Sequence, residues 1–354
     1  MAVLKDYIMW RGDLSLSQDP FNLIDNALLC NTTYIDFSHV KMGKPITLSD
    51  ALNRVFKRTE PEKMVLGLFI PKEIVDVSHL LKSTKRFSNI LVSDFINYTS
   101  LEEACQFSAI TFHLSADVMY VAYRGTDDTL AGWQENLNMV SMFPVKGEEL
   151  ARKYLEKMAN KYPNRMIYVG GHSKGGTLAL YASIYANDKV KDRIINVFSN
   201  DGTGIMKYHL DEEKLLSIQN RVIKIVPEDS VVGMFFDNIY GELIVVKSVN
   251  KKVFQHDMTS WMVEGNKFIT VKSISENAKK LSNATLNLIE NMSLEERTII
   301  AKEVSEMLIK MKAETLIDAK NQGLLILKHL NSISYKNKKY FFKFIRNFIK
   351  YKEI

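Results

Sequence analysis

Apolar and polar positions along this chain fall into three successive patterns, and their order predicts the architecture. Over the first hundred residues apolar side chains recur mainly at helical spacing. Ser17-Gln18-Asp19-Pro20 is a helix-start sequence and Phe21 to Leu29 continues it; Lys72 to Lys82 is a weaker helical segment after the breaks at Pro61 and Pro71. From Val118 onward short apolar, β-rich runs alternate with helical stretches. Val118 to Tyr123, Met166 to Val169, Ile194 to Phe198, Arg221 to Val226 and Glu242 to Val249 read as strands, with helices at Gly147 to Tyr162 and Gly176 to Tyr185. Strands that alternate with helices predict an α/β fold, a doubly wound and mostly parallel sheet. The pattern then turns helical again, and the capping box Ser293-Leu294-Glu295-Glu296 opens a long helix expected to run to about Asp318. No internal repeat or low-complexity linker divides the chain. The expected organisation is a mainly helical part over residues 1–105, an α/β core over 106–270 and a helical extension over 271–354.

Composition narrows this picture without redirecting it. The 354 residues are 46% hydrophobic and 25% charged, ordinary for a globular protein able to bury a sizeable core. The net charge of +6 is mild and concentrated near the C-terminal end, and no nucleic-acid motif accompanies it, so nucleic acid is not an expected partner. No run of about 18 apolar residues indicates a transmembrane helix. Met1 to Trp10 carries Lys5 and Asp6 and makes a poor signal peptide, so a cytoplasmic location is expected. Cys30 and Cys105 lack metal-site or redox-motif spacing and read as buried free thiols. With no metal constellation and no phosphate-binding loop, no cofactor is expected.

The chemistry concentrates at Gly171-His172-Ser173-Lys174-Gly175, a G-x-S-x-G pentapeptide. The motif is short, and its setting gives it weight: it follows a predicted strand and precedes a helix of small residues. A serine on such a sharp turn is presented at the end of a sheet. Glycines two residues to either side let strand and helix approach. The helix N-terminus behind Ser173 offers free N–H groups, and the Lys174 N–H can donate to an oxyanion.

Gly170-Gly171-His172-Ser173-Lys174-Gly175-Gly176 resembles the elbow of lipase-like α/β-hydrolases, and Tyr123-Arg124-Gly125-Thr126-Asp127 with Gly132-Trp133 resembles a motif of the class 3, fungal-type lipases. Three further segments, Tyr7 to Asp13, Asn200-Asp201-Gly202 and Gln255-His256-Asp257 before Trp261, are similar to a bacterial Mbeg-like branch of that group. The resemblance spans residues 1–265. It implies an α/β-hydrolase fold and a serine hydrolase acting on acyl esters through a Ser-His-Asp triad and an acyl-enzyme, and it leaves the substrate open. Thr203 stands where the family pattern has proline.

A serine hydroxyl needs a base, and in this fold the chain order is serine, acid, histidine. Of the histidines after Ser173, His329 lies in a lysine-flanked helical segment and His209 at a helix start. His256 follows the last predicted strand, where the family motif also matches, and is the expected base. For the acid, the resemblance favours Asp229, after the later strand; Asp201, Glu228 and Asp237 remain alternatives. The resemblance also puts the second oxyanion donor at Thr126, beside that of Lys174. His172 reads as a packing or hydrogen-bonding residue, Trp133 as a core residue and Arg124 as an ion-pair partner. An idle hydrolase scaffold that only binds, and a thioesterase or peptidase using the same triad, are the other readings compatible with these residues.

The tail from Tyr335 to Ile354 interleaves lysine and arginine with Phe341, Phe344, Ile345 and Phe348, which fall on one stripe of a helix. That pattern suits either packing on the hydrolase domain or peripheral contact with an anionic membrane, close to an ester or lipid substrate.

Overall fold

The computed structural model describes residues 1–67, 69–236, 240–310 and 337–339. The tail, apart from residues 337–339, lies outside the described residues, as do His329 and Asp237.

The predicted strand–helix alternation forms the centre of a nine-stranded sheet. In chain order its first eight strands are β1 (Ile46–Thr47), β2 (Leu91–Ser100), β3 (Cys105–His113), β4 (Val118–Tyr123), β5 (Met166–His172), β6 (Ile194–Asn200), β7 (Val222–Pro227) and β8 (Glu242–Val246). β9 (Val263–Glu264) and β10 (Lys267–Phe268) form a separate small hairpin, and β11 (Thr270–Val271) closes the far edge of the main sheet. Strands lie in the order β1-β2-β3-β4-β5-β6-β7-β8-β11. From β4 to β8 every pairing is parallel; β1 to β4 and the β8–β11 pair are antiparallel. This is an α/β-hydrolase fold, a mixed sheet with a parallel centre and helices on both faces.

Side-chain alternation explains why both faces are covered. Along β4, Tyr120 and Ala122 enter one core while Met119, Val121 and Tyr123 enter the other, and all five are fully buried. The first core is roofed by the N-terminal helices α1 (Leu4–Arg11), α2 (Leu23–Thr32), α3 (Leu48–Arg58) and α4 (Glu73–Leu81). After α5 (Leu130–Asn138), helices α6 (Lys146–Lys161) and α7 (Lys174–Tyr185) cover the opposite face. The short α8 (Asp188–Lys191) and α9 (Glu212–Leu216) are followed by α10 (Glu276–Glu290) and α11 (Leu294–Lys310). The capping box at the start of α11 forms as its spacing predicts: Glu296 N–H donates to Ser293 Oγ at 3.1 Å and Ser293 N–H to Glu296 Oε2 at 2.8 Å.

The sheet starts earlier than the hydrophobic pattern predicts. β2 and β3 occupy residues 91–113, most of which read as part of a helical segment. The reason is polar content. Gln106, Ser108 and Thr111 on β3 are fully buried, so apolar runs are broken where the strand is most enclosed. Their environment is tertiary: Thr111 Oγ1 and Tyr154 Oη of α6 lie 2.9 Å apart, and the Gln106 N–H donates to Glu135 of α5 at 3.1 Å. Cys30 and Cys105 are buried and unpaired with each other.

The consequence for chemistry is an alignment of strand ends. In the parallel ladder Tyr123 pairs with Gly171, His172 with Asn200 and Asn200 with Ile225. Segments following β4, β5, β6 and β7 therefore emerge side by side at the carboxyl edge, where ligands bind in open α/β sheets.

Candidate active site at the carboxyl edge of the sheet

Ser173 sits between β5 and α7 with φ +56° and ψ −130°, a conformation that costs a non-glycine residue about 1–3 kcal/mol. Its surroundings impose this. The Ser173 N–H donates to Asn200 O at 3.0 Å, and α7 begins at the next residue. The glycines on either side are sterically required. A Cβ on Gly171 would lie 2.2 Å from the Gly175 carbonyl oxygen, and one on Gly175 would lie 2.3 Å from the Tyr123 oxygen. Both obstacles are backbone and cannot rotate away. Gly171→Ala is therefore expected to lower stability by at least about 3 kcal/mol, the upper part of the usual overpacking range. Urea denaturation measures it, and an unchanged midpoint would contradict the tight elbow.

Lys174 is not a solvent-facing lysine. Its side chain is buried, with Nζ donating to Glu135 Oε2 and to the Gln106 carbonyl, both at 2.6 Å. Glu135 is fully buried as well and also accepts from the Gly147 N–H at 2.7 Å. The pair thus ties the elbow to α5 and to the start of α6. As the first residue of α7, Lys174 has a main-chain N–H without an acceptor inside the helix. Thr126, at the end of the segment after β4, accepts at Oγ1 from Asn136 Nδ2 at 2.8 Å. The preceding residue, Gly125, is wedged against the elbow: a Cβ there would lie 3.1 Å from Ser173 Cβ. Arg124 pairs with Asp127 at 2.7 Å, as an ion-pair partner should, and Trp133 is half-buried with its ring against Phe69.

His256 reaches this edge from a short helical turn, residues 252–256, after β8. Its Nδ1 lies 2.6 Å from Asp201 Oδ2. This corrects the expectation that the carboxylate on His256 comes from Asp229. Asp229 instead faces the neighbour of His256: its N–H donates to Gln255 Oε1 at 2.9 Å, and Gln255 Nε2 approaches Asp229 Oδ2 at 3.3 Å. The main chain of Glu228 pairs with Val246 and Ser275.

Turn geometry decides between the two aspartates. Asp201 follows β6 with φ +44°, and its N–H donates to Ile225 O at 2.7 Å. That bend carries the carboxylate beneath His256. A second donor, Ser230 Oγ, holds the other oxygen at 2.5 Å, and a Cβ on Gly233 would collide with that oxygen. Asp201 is fully buried. Burial by itself raises its pKa, yet the hydrogen bonds and charge of His256 and the bond from Ser230 outweigh it and leave the carboxyl below its ordinary value. Lys224 on β7 donates to Gly202 O at 2.8 Å, and burial pushes its ammonium down to about 7, partly offset by the Asp201 charge.

A carboxylate at Nδ1 makes that nitrogen the N–H donor and leaves Nε2 of His256 with its lone pair. The His256 side chain is 26% exposed and Ser173 half-buried, so both can be reached from outside. The Ser173 hydroxyl makes no hydrogen bond among the described residues. His172, next to Ser173, lies against His256 with ring centroids 4.5 Å apart and the planes tilted by 32°. Two side chains here had no counterpart in the sequence reading: Tyr34, whose hydroxyl lies 2.9 Å from His172 Nδ1, and Ser230. Neither sits in a motif that would single it out.

A family profile described as Mbeg1-like matches residues 81–306. The chain belongs to the Mbeg1-like family. No curated protein matches it. Among solved structures, this Mbeg1-like chain is similar to the Lip2 lipase of Yarrowia lipolytica, at 15% identity and TM-score 0.39, over 74% of this chain and 88% of that one. It is similar too to a mono- and diacylglycerol lipase of Aspergillus oryzae, at 13% identity and TM-score 0.42, over 81% and 92% of the two chains. The Rhizomucor miehei lipase in its propeptide complex matches at 13% identity and TM-score 0.37, over 68% and 80%. Among the described residues no helix of the Mbeg1-like protein is long and apolar enough to cross a membrane, and no group of three or more His, Cys, Asp or Glu could hold a metal ion.

Proposed function

We propose that this Mbeg1-like protein hydrolyses carboxylic acyl esters, with Ser173 as nucleophile, His256 as general base and Asp201 as the acid that orients it. The observation that carries the reading is the 2.6 Å contact between Asp201 Oδ2 and His256 Nδ1 at the same sheet edge as the strained Ser173. In the proposed reaction Ser173 Oγ attacks the acyl carbon while His256 Nε2 takes its proton. The imidazolium that forms is stabilised by Asp201. The developing oxyanion is met by the main-chain N–H groups of Lys174 and Thr126. Collapse of the tetrahedral intermediate breaks the bond to the alcohol, which leaves with the proton from His256. Water, deprotonated by the same histidine, then cleaves the acyl-enzyme and releases the carboxylic acid. The hydrogen bond from Ser173 to His256 forms on substrate binding, as catalytic contacts often tighten only in the complex.

Exposed apolar side chains next to the base in sequence support an acyl chain as part of the substrate: Val253 and Phe254, within three residues of His256, are 50% and 73% exposed. A fluorophosphonate phosphonylates a serine only where base and oxyanion donors converge on it. The full-length protein is expected to take up one fluorophosphonate per chain, on the peptide containing Ser173. Absence of labelling in folded protein would overturn the proposal in favour of a scaffold that binds without turnover.

A further inference from the structure

The helical roof reaches into this site through one side chain. Tyr34, just after α2, lies outside the residues matched by the family profile, and its buried hydroxyl meets His172 Nδ1 at 2.9 Å. On the other side of the same ring, His172 Nε2 lies 2.8 Å from the main-chain oxygen of His256. A carbonyl only accepts, so Nε2 must carry the proton. Burial, followed by repulsion from His256, pushes His172 down to about 3, so its ring is neutral near pH 7 and Nδ1 is an acceptor. Burial also raises the Tyr34 pKa well above its ordinary value, so its hydroxyl keeps the proton that Nδ1 needs. The Gly125 backbone, on the segment leading to Thr126, packs against that hydroxyl. The His256 carbonyl thus selects the Nε2–H tautomer, and the Tyr34 hydroxyl, able to donate or accept, donates to Nδ1 and holds the ring there.

We infer that Tyr34 and His172 are positioning residues for His256: Tyr34 holds the His172 ring in place through Nδ1, and His172 holds the His256 backbone so that its ring stays aligned between Asp201 and Ser173. The inference rests on the proposed role of His256 as base. The other carbonyl flanking this residue is held too, since Trp261 Nε1 donates to Gln255 O at 2.9 Å. The His256 backbone is thus pinned on both sides, by a core indole and by an imidazole whose own state depends on the N-terminal helices. Without the Tyr34 hydroxyl, the buried Nδ1 of His172 loses its donor and the ring can turn away from the His256 carbonyl, so the His256 backbone loses that hold. The His256 ring then moves relative to Asp201, and a displacement of about 1 Å at a reacting group can cost up to a hundredfold in rate.

The test uses full-length wild type, Tyr34→Phe, His172→Gln and His172→Leu, with p-nitrophenyl acetate as substrate and fluorophosphonate to titrate active sites. Turnover per titrated site separates a misaligned base from a smaller folded fraction. Tyr34→Phe is expected to lose roughly tenfold to a hundredfold in kcat per titrated site with KM little changed. His172→Gln, which keeps an N–H near the Nε2 position and needs no tautomer, should retain more turnover than His172→Leu. If Tyr34→Phe folds poorly, this second comparison decides. Per-site kcat within twofold of wild type in Tyr34→Phe, or equal loss in the two His172 variants, overturns the inference and leaves the proposed function standing. Wild type that takes no fluorophosphonate overturns both.

Discussion

Ser173→Ala is expected to lower kcat for p-nitrophenyl esters by roughly a millionfold, the usual cost of removing a nucleophile from a working triad. The substitution deletes one oxygen atom. It leaves the Ser173 N–H bond to Asn200, the buried Lys174–Glu135 pair and the flanking glycines untouched. Alanine must still adopt φ near +56°, so it inherits the strain without worsening it. Thermal stability should therefore stay within about 1 kcal/mol of wild type, as for substitutions that neither open a cavity nor strand a buried polar group. A loss of activity accompanied by unfolding would not support the assignment; retention of activity within tenfold in the folded variant would refute it. The residual rate, which oxyanion donors and binding alone provide, should not respond to fluorophosphonate.

The second large effect separates the two aspartates. Asp201→Asn should lower kcat about 10⁴-fold, because an amide nitrogen facing His256 Nδ1 favours the wrong tautomer while leaving the geometry nearly intact. Asp229→Asn should cost less than about tenfold. Asp229 meets the Gln255 amide through a 2.9 Å bond from its own N–H and a longer 3.3 Å contact at its carboxylate, and asparagine keeps the first and can keep the second. Kinetics of the two purified variants on one ester decide this. If Asp229→Asn is the crippling change and Asp201→Asn the mild one, Asp201 is not the acid, and the contact seen at His256 does not persist in the working enzyme.

Strand ends could be read from the chain because short apolar runs punctuated by glycine and proline have little alternative but to be buried strands. The parallel centre, the elbow and the helices α6 and α7 follow from that pattern within a few residues. His256 could be singled out by its place after the last predicted strand together with a motif. Antiparallel β2 and β3 escaped, since a strand that buries Gln106, Ser108 and Thr111 carries no apolar alternation, and the Gln106 main chain and the Thr111 hydroxyl find their partners on α5 and α6 only once those helices are in place.

By itself the sequence determined which residues could do chemistry and on which kind of element each would sit, because backbone preference and hydrophobic periodicity are local. Only the tertiary structure decided which of them meet. Asp201 and Asp229 both follow strands of the sheet and both precede His256 in the chain, so order does not rank them. A positive φ at Asp201, a bond from its N–H to Ile225 and the Ser230 hydroxyl turn one carboxylate toward His256, while the other is engaged by Gln255. Tyr34 is invisible for the same reason: it lies 138 residues from His172, and nothing local marks a buried tyrosine whose hydroxyl holds a histidine ring. Contacts of that kind are fixed by where the helical roof comes to rest on the sheet, a property of the packed whole that no stretch of the chain encodes alone.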